Sequence, residues 1–425
     1  MNTKKRFRMG KAYVFISIFC LCVASAFLIT KDAAANSTIK IGEIDPASGV
    51  FKLGGDQYHY CIEQAIHEQN EAGGLLGKKI ELIREDGMMK PEVAVRKAKK
   101  LYLEDKVDFL CGGLGSHVYL AVAKVAEQYK KLYICTGAAS DAITGSGFNR
   151  YIFRPGITGT NSSFALASYL GKQPYTKYYL INQDYAFGYD MARTFKEQLM
   201  RKKPGAKIVG EDFTPLGNKD FTAYLNKILA SGAEVVYCSF VGDDLQIFLK
   251  QSHELGLAKK AFFAFFYMDP VAAQSVGEAI DGHLFANNYE VSIDTPDNRA
   301  FIKRYHARHQ NLDIAYQYPC GYPGNSYNAM RFLFAVIKKA GTLDTEAIIK
   351  TWEGMEFEYI ATGKVKMRAC DHQLLTPYFL FKGAKIPPAE QFFKIPYYLG
   401  KPIAEISAEE CQVPMGTPNY NPRCK

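Results

Sequence analysis

Residues 108–144, DFLCGGLGSHVYLAVAKVAEQYKKLYICTGAASDAIT, decide the fold. Val107 to Cys111 is a short apolar run of the kind found in strands buried on both faces. Gly112, Gly113 and Gly115 follow as a turn, and Ser116 stands where a helix can begin. Val118, Ala121, Val122, Val125 and Ala126 then recur at helical spacing. Leu132 to Cys135 is the next strand, closed by Gly137-Ala138-Ala139-Ser140. Two parallel strands therefore end at one sheet edge, each with a small-residue loop. Open α/β sheets bind ligands at that edge. Free N–H groups at a helix N-terminus, with a hydroxyl beside them, suit an anion such as a carboxylate.

The same strand–helix alternation extends outward. Thr38 to Ile44 reads as the first strand, 46–55 as a loop, and Tyr58 to Asn70 as a helix with Ile62, Ala65 and Ile66 on its inner face. Lys79 to Arg84 is the second strand, and Pro91 opens a helix with Ala94, Ala98 and Leu101 inward. This order implies a parallel sheet with right-handed crossovers. Pro155 and Gly156 interrupt it and, with the polar residues to Ser163, predict a domain crossing. A second series follows, with strands predicted at 177–182, 206–210, 234–240, 261–266 and 282–287. Helices are predicted at 299–309, 326–340 and 345–352. Gly363 to Met367 and Tyr378 to Phe381 read as hairpin strands returning to the second unit. The prediction is an α/β protein of two doubly wound parallel-sheet lobes joined by a multi-strand hinge. Its expected parts are a signal peptide at 1–35, a first lobe at 38–156 plus 288–361, a second lobe at 157–287 plus 362–385, and a Pro-rich surface tail at 386–425.

Composition narrows the class. The chain of 425 residues is 48% hydrophobic and 22% charged, which suits two domains with real cores. Its net charge is +9, but residues 1–35 hold six Lys/Arg and one Asp, and the rest carries a surplus of only four. No basic run marks a nucleic-acid partner. Lys4, Lys5, Arg6, Arg8 and Lys11, the apolar stretch Ala12 to Ile29 and the small residues Ala33 to Ala35 predict a cleavable export signal. An uncleaved anchor is the rival. Eight cysteines follow that segment without a C-x-x-C, so disulfides are permitted and the zinc or redox reading is weak. Cys411 and Cys424 flank the tail and are the first pair expected to bond. The motifs G-x-x-x-x-G-K-[ST], H-E-x-x-H and G-x-S-x-G are missing, and His306 and His309 read as a solvated helix face. The expectation is a protein that is not an enzyme and that uses neither metal nor cofactor.

G-x-x-x-S followed by A-x-x-x-A, then a strand, then T-G-A-A-S-D-A-I-T, resembles the branched-chain amino-acid-binding proteins of bacterial ABC importers. Leu82 to Gly87, Phe153-Arg154 and the D-Y-A-F-G of Asp184 to Gly188 extend the resemblance to the type I periplasmic-binding fold over residues 38 to 385. It implies a monomeric periplasmic protein that closes its lobes on a small organic ligand, a branched-chain or other hydrophobic amino acid or a related carboxylate, and delivers it to permease subunits in the inner membrane. A ligand sensor for a membrane receptor is the alternative role. The resemblance assigns the ligand's carboxylate to Ser116, Ala138 and Ser140. It assigns second-lobe contacts to Tyr185 or Phe187 and to Phe240 or Val241. Relatives that bind amino acids place an acid after the strand at 261–266, where this chain has Phe265, Phe266 and Tyr267. Asp269 is the nearest acid, and Lys52 in the first loop can pair with an anion. A buried ammonium without an anionic partner is costly. If Asp269 does not reach the cleft, the aromatic run suits a carboxylate or amide that lacks an amine.

Overall fold

The computed structural model describes residues 38–391, 397–412 and 421–424, and the predicted export signal lies outside them. Strands β1 (Ile39–Asp45), β2 (Ile80–Asp86), β3 (Phe109–Gly112), β4 (Tyr133–Cys135) and β5 (Ile152–Phe153) form a parallel sheet in the order β2-β1-β3-β4-β5. Helices α1 (Lys52–Glu71), α2 (Pro91–Leu103) and α3 (Ser116–Tyr129) connect them. Alternation along the strands supplies both helix layers. Ile39 and Ile41 pack with Cys61, Ile62 and Ala65, whereas Ile44 and Leu110 pack with Ala94, Leu101 and Val122. Strand order reverses between β1 and β3, so the loops after β3 and β4 open beside a switch point. Gly112 and Gly113 have φ of +112° and +89°, a conformation that strains any side chain.

The second sheet begins with β6 (Lys177–Gln183), β7 (Lys207–Thr214), β8 (Val235–Cys238), β9 (Phe262–Phe265) and β10 (Leu284–Asn287), all parallel, with its switch between β6 and β8. Around it lie α4 (Gly159–Gly171), α5 (Ala186–Lys202), α6 (Thr222–Ser231), α7 (Gly242–Glu254) and α8 (Pro270–Val276). Helices α9 (Pro296–His309), α10 (Gly321–Ala340) and α11 (Thr345–Trp352) follow. The first two return to the first lobe, where Arg304 and the Tyr327 hydroxyl both donate to Glu68 of α1.

Several expectations change here. Helix α1 begins at Lys52, inside the predicted loop, because Gly54 and Gly55 read as breakers. A Cβ on Gly55 would lie 1.9 Å from the Pro46 carbonyl oxygen, so this glycine serves close packing and not a turn. Helix α4 begins at Gly159, capped by Thr158, whose hydroxyl accepts the Asn161 N–H at 3.0 Å. Its polar start is buried: the Thr160 hydroxyl donates to Asp141, and Ser163 bonds the Tyr237 hydroxyl at 2.7 Å. His306 stacks on Tyr318 and His309 is buried against Tyr305, so these histidines pack the α9 face instead of being solvated.

Gly363–Met367 forms a strand as expected, but in a separate sheet. It is β12, between β11 (Glu356–Tyr359) and β13 (Leu374–Leu375), and Phe357 stacks on Phe332 of α10. Strand β14 (Tyr378–Lys385) pairs antiparallel with β10. The tail is more than a surface wrap, since β15 (Tyr397–Ile406) pairs with β14 and forms the sheet's edge. The expected Cys411–Cys424 disulfide is also corrected: the bond joins Cys370 and Cys424, with Cα atoms 5.1 Å apart. Strand β15 carries Cys411 into the second-lobe core beside Tyr378 and Ile406. Residues 421–424 lie on the first lobe instead, where Asn421 donates to the Thr144 carbonyl and Arg423 covers Phe148.

Candidate ligand cleft

The edge predicted from residues 108–144 is built as a donor site. Ser116 is the first residue of α3, and the residue before it, Gly115, supplies no side-chain cap. The Ser116 Oγ accepts the Ser140 N–H at 3.1 Å, and the Ser140 Oγ accepts the Ala142 N–H at 3.3 Å. Each hydroxyl spends a lone pair on the loop and keeps its own proton for another acceptor. Ala138 between them is fully buried, which fixes the backbone of the loop. Behind the site, the Asp45 carboxyl accepts the Gly113 and Leu114 N–H groups at 2.9 and 2.8 Å. Burial first, then the charge of Glu43, hold this carboxyl well above its usual pKa range. Asp45 lay one residue beyond the predicted first strand and was missed.

Aromatic side chains from several elements meet over this edge. Phe187 of α5 lies edge-on to Phe266 at 5.2 Å, and Tyr267 stacks on Tyr322 of α10 at 4.9 Å. The Tyr322 hydroxyl donates to the Ala286 carbonyl at 3.1 Å, and Tyr58 of α1 joins the same cluster. A Cβ on Gly137 would lie 3.1 Å from the Tyr58 ring, which places Tyr58 against the loop after β4. Tyr185 caps the start of α5, half-buried, with its ring 5.8 Å from Phe187. Burial, then the Asp244 charge, raise its hydroxyl pKa. Leu114, Ala139 and Val241 pack against the cluster as well.

Other predicted residues have partners of their own. Phe240 is fully buried against Phe221 and Phe248, 5.2 Å from each, so the loop after β8 presents Val241 instead. Lys52 lies in the exposed first turn of α1 and is paired with Asp56, which Arg84 also holds at 2.9 Å. Asp269 is the N-cap of α8, where its Oδ1 accepts the Ala272 N–H at 2.9 Å. Glu290, absent from the sequence expectations, is fully buried at the crossing after β10. Its carboxyl accepts from the Val291 N–H at 2.9 Å, the Tyr398 hydroxyl at 2.9 Å and the Asn287 amide at 3.1 Å. Burial pushes its pKa up to about 7. Tyr58 continues the α1 stripe one turn before Ile62, so its signal was present in the spacing. Tyr322 was hidden because GYPG reads as a loop.

Two α/β sheets with chain crossings between them, beside a hydroxyl-bearing edge and an aromatic cluster, are the organisation of a bilobed binding protein. The chain belongs to the periplasmic binding protein family, whose model matches residues 38–385. That membership carries an extracytoplasmic location and solute binding. An amino acid binding protein of Pseudomonas aeruginosa is 27% identical over 350 residues, covering 80% of this chain and 87% of that one. The solute binding protein of an ABC transporter from Rhodopseudomonas palustris BisB5, solved with 3,4-dihydroxybenzoic acid, is 26% identical. It has a TM-score of 0.77 and covers 87% of this chain and 98% of its own. A Leu, Ile, Val, Thr and Ala-binding protein of Brucella ovis in its closed conformation, 22% identical, shares the fold with a TM-score of 0.81, covering 89% of this chain and 97% of that one.

Proposed function

We propose that the protein is the exported, non-enzymatic receptor of an ABC importer and that it captures a carboxylate with an apolar or aromatic body in the cleft. Ser116, Ser140 and the uncapped start of α3 bind the carboxylate, while Tyr58, Phe187, Phe266, Tyr267 and Tyr322 enclose the body. Tyr185 and Val241 form the second-lobe rim, and lobe closure selects the bound state. The observation that carries the preference over an amino acid is the employment of both acids whose charge Tyr267 senses. Asp269 caps a helix, and Glu290 is sealed in the hinge by three donors. The dihydroxybenzoate-bound relative supports this choice. The Pseudomonas relative's name favours an amino acid, which is the second reading.

A thermal-shift panel tests it, with benzoate, 4-hydroxybenzoate, 3,4-dihydroxybenzoate, their amides, L-leucine and L-phenylalanine. A ligand at 100 times its Kd adds about 2.7 kcal/mol. Shifts with the benzoates but not with the amino acids are expected. A shift with leucine at least as large would transfer the site to the second reading.

A further inference from the structure

Arg154 follows β5 directly, where the chain leaves the first lobe, and the site described above gives its side chain no role. It is 2% exposed. Its fork reaches two segments: Nη1 donates to the Ser140 carbonyl at 2.6 Å, Nη2 donates to the Thr144 hydroxyl at 2.6 Å, and Nε donates to the Gln373 side-chain carbonyl. Its backbone N–H donates to the His372 carbonyl at 2.9 Å, and its carbonyl accepts the Leu374 N–H at 3.1 Å. All these partners are neutral oxygens or amides. Two carboxylates, Asp141 and Asp371, act on its charge through space, and each also has partners of its own. Asp141 accepts the Thr160 hydroxyl and lies 3.8 Å from Arg193, and Asp371 accepts Arg368 at 2.8 and 2.5 Å.

A buried guanidinium bonded to neutral oxygens is costly to fold around. Desolvation accordingly lowers its pKa. A clamp between two loops needs no charge, because a neutral amide can bridge carbonyls. An anionic ligand at the adjacent Ser140 loop gives the charge a use. We propose that Arg154 is the positioning residue of the cleft. It fixes the Ser140 loop to the returning strand at Gln373, and its charge favours a carboxylate at Ser116 and Ser140. This rests on the carboxylate site proposed above.

The test uses Arg154→Met, Arg154→Lys and Gln373→Leu in the full protein, with 4-hydroxybenzoate and 4-hydroxybenzamide as paired probes. Arg154→Met should weaken the carboxylate on the order of tenfold more than the amide. Arg154→Lys should recover part of that gap, and Gln373→Leu, which keeps the charge, should leave the ratio unchanged. In the ligand-free protein, hydrogen exchange across residues 138–144 should quicken in all three variants. Equal weakening of acid and amide would overturn the electrostatic role, because a purely structural defect affects both probes alike. If the wild type binds neither probe, the carboxylate reading fails by itself. Exchange then decides the positioning role: faster exchange confined to 138–144 supports it, and unchanged exchange overturns it. Gln373→Leu keeps that arm decisive if the Arg154 variants do not fold.

Discussion

Replacing Ser116 and Ser140 by alanine, singly and together, separates binding from stability. Each hydroxyl that donates to a carboxylate contributes about 1.5–3 kcal/mol, so each single variant should weaken a benzoate about 10- to 150-fold. The stability cost differs between them. Ser116→Ala leaves the Ser140 N–H without its acceptor at 3.1 Å, in the free and bound protein alike. That loss, about 1 kcal/mol, lowers Tm and largely cancels from Kd. Ser140→Ala likewise strands the Ala142 N–H. Because both hydroxyls would bind the same carboxylate, the double variant should lose less than the sum of the singles. Titration calorimetry with the acid and its amide, beside thermal unfolding, reads both quantities. Unchanged acid affinity in the double variant would remove the carboxylate site. An equal loss for acid and amide would show that the loop had merely deformed.

Other consequences are accessible to simple measurements. Cys370→Ser or Cys424→Ser should lower stability by about 2–4 kcal/mol and abolish the Tm drop caused by reductant, whereas Cys411→Ser should leave that drop intact. A reductant-insensitive Cys411→Ser variant would restore the rejected pairing. Glu290 has a folded pKa of about 7, above its unfolded value of 4.5, so the folded state holds the extra proton between them. Its contribution should therefore decline as pH rises from 4.5 to 7 and level off above, by at most a few kcal/mol. Glu290→Gln should flatten that part of the stability–pH curve, and an unaltered slope would place the titration elsewhere. Gly55→Ala should destabilise despite the better helix former, by about 2 kcal/mol or more, because the Pro46 carbonyl is backbone and cannot swing aside. Chemical denaturation gives the sign, and a stabilised variant would show that α1 starts elsewhere.

What the sequence disclosed was local and periodic. The alternation of strands and helices, the glycine turn after β3 and the start of α3 at Ser116 follow from spacing alone. Glycine misled where it serves packing: Gly55 and Gly321 lie inside first turns of helices, against the Pro46 carbonyl and the Tyr267 ring. The tail misled because prolines hid a ten-residue strand, and the disulfide followed that strand.

The cleft itself was legible only to within one residue, and there one residue decides the outcome. Past the end of a strand the chain stays extended, so neighbouring side chains point to opposite faces. Phe240 enters the Phe221–Phe248 core while Val241 packs against the cluster that holds Phe266. The same alternation divides the run after residue 261: Phe263 and Phe265 pack with His283 and Phe285 while Phe266 faces the other way, and past the strand's end Tyr267 departs from the alternation to stack on Tyr322. Composition announced an aromatic site, but register chose its members. The long-range members, Tyr58 and Tyr322, needed the fold, because neither has a local reason to meet the other. A ligand lacking an amine is thus supported less by any single residue than by where the acids went. Asp269 was drawn to a helix end and Glu290 into the hinge, and the loop after β9 offers the rings of Phe266 and Tyr267.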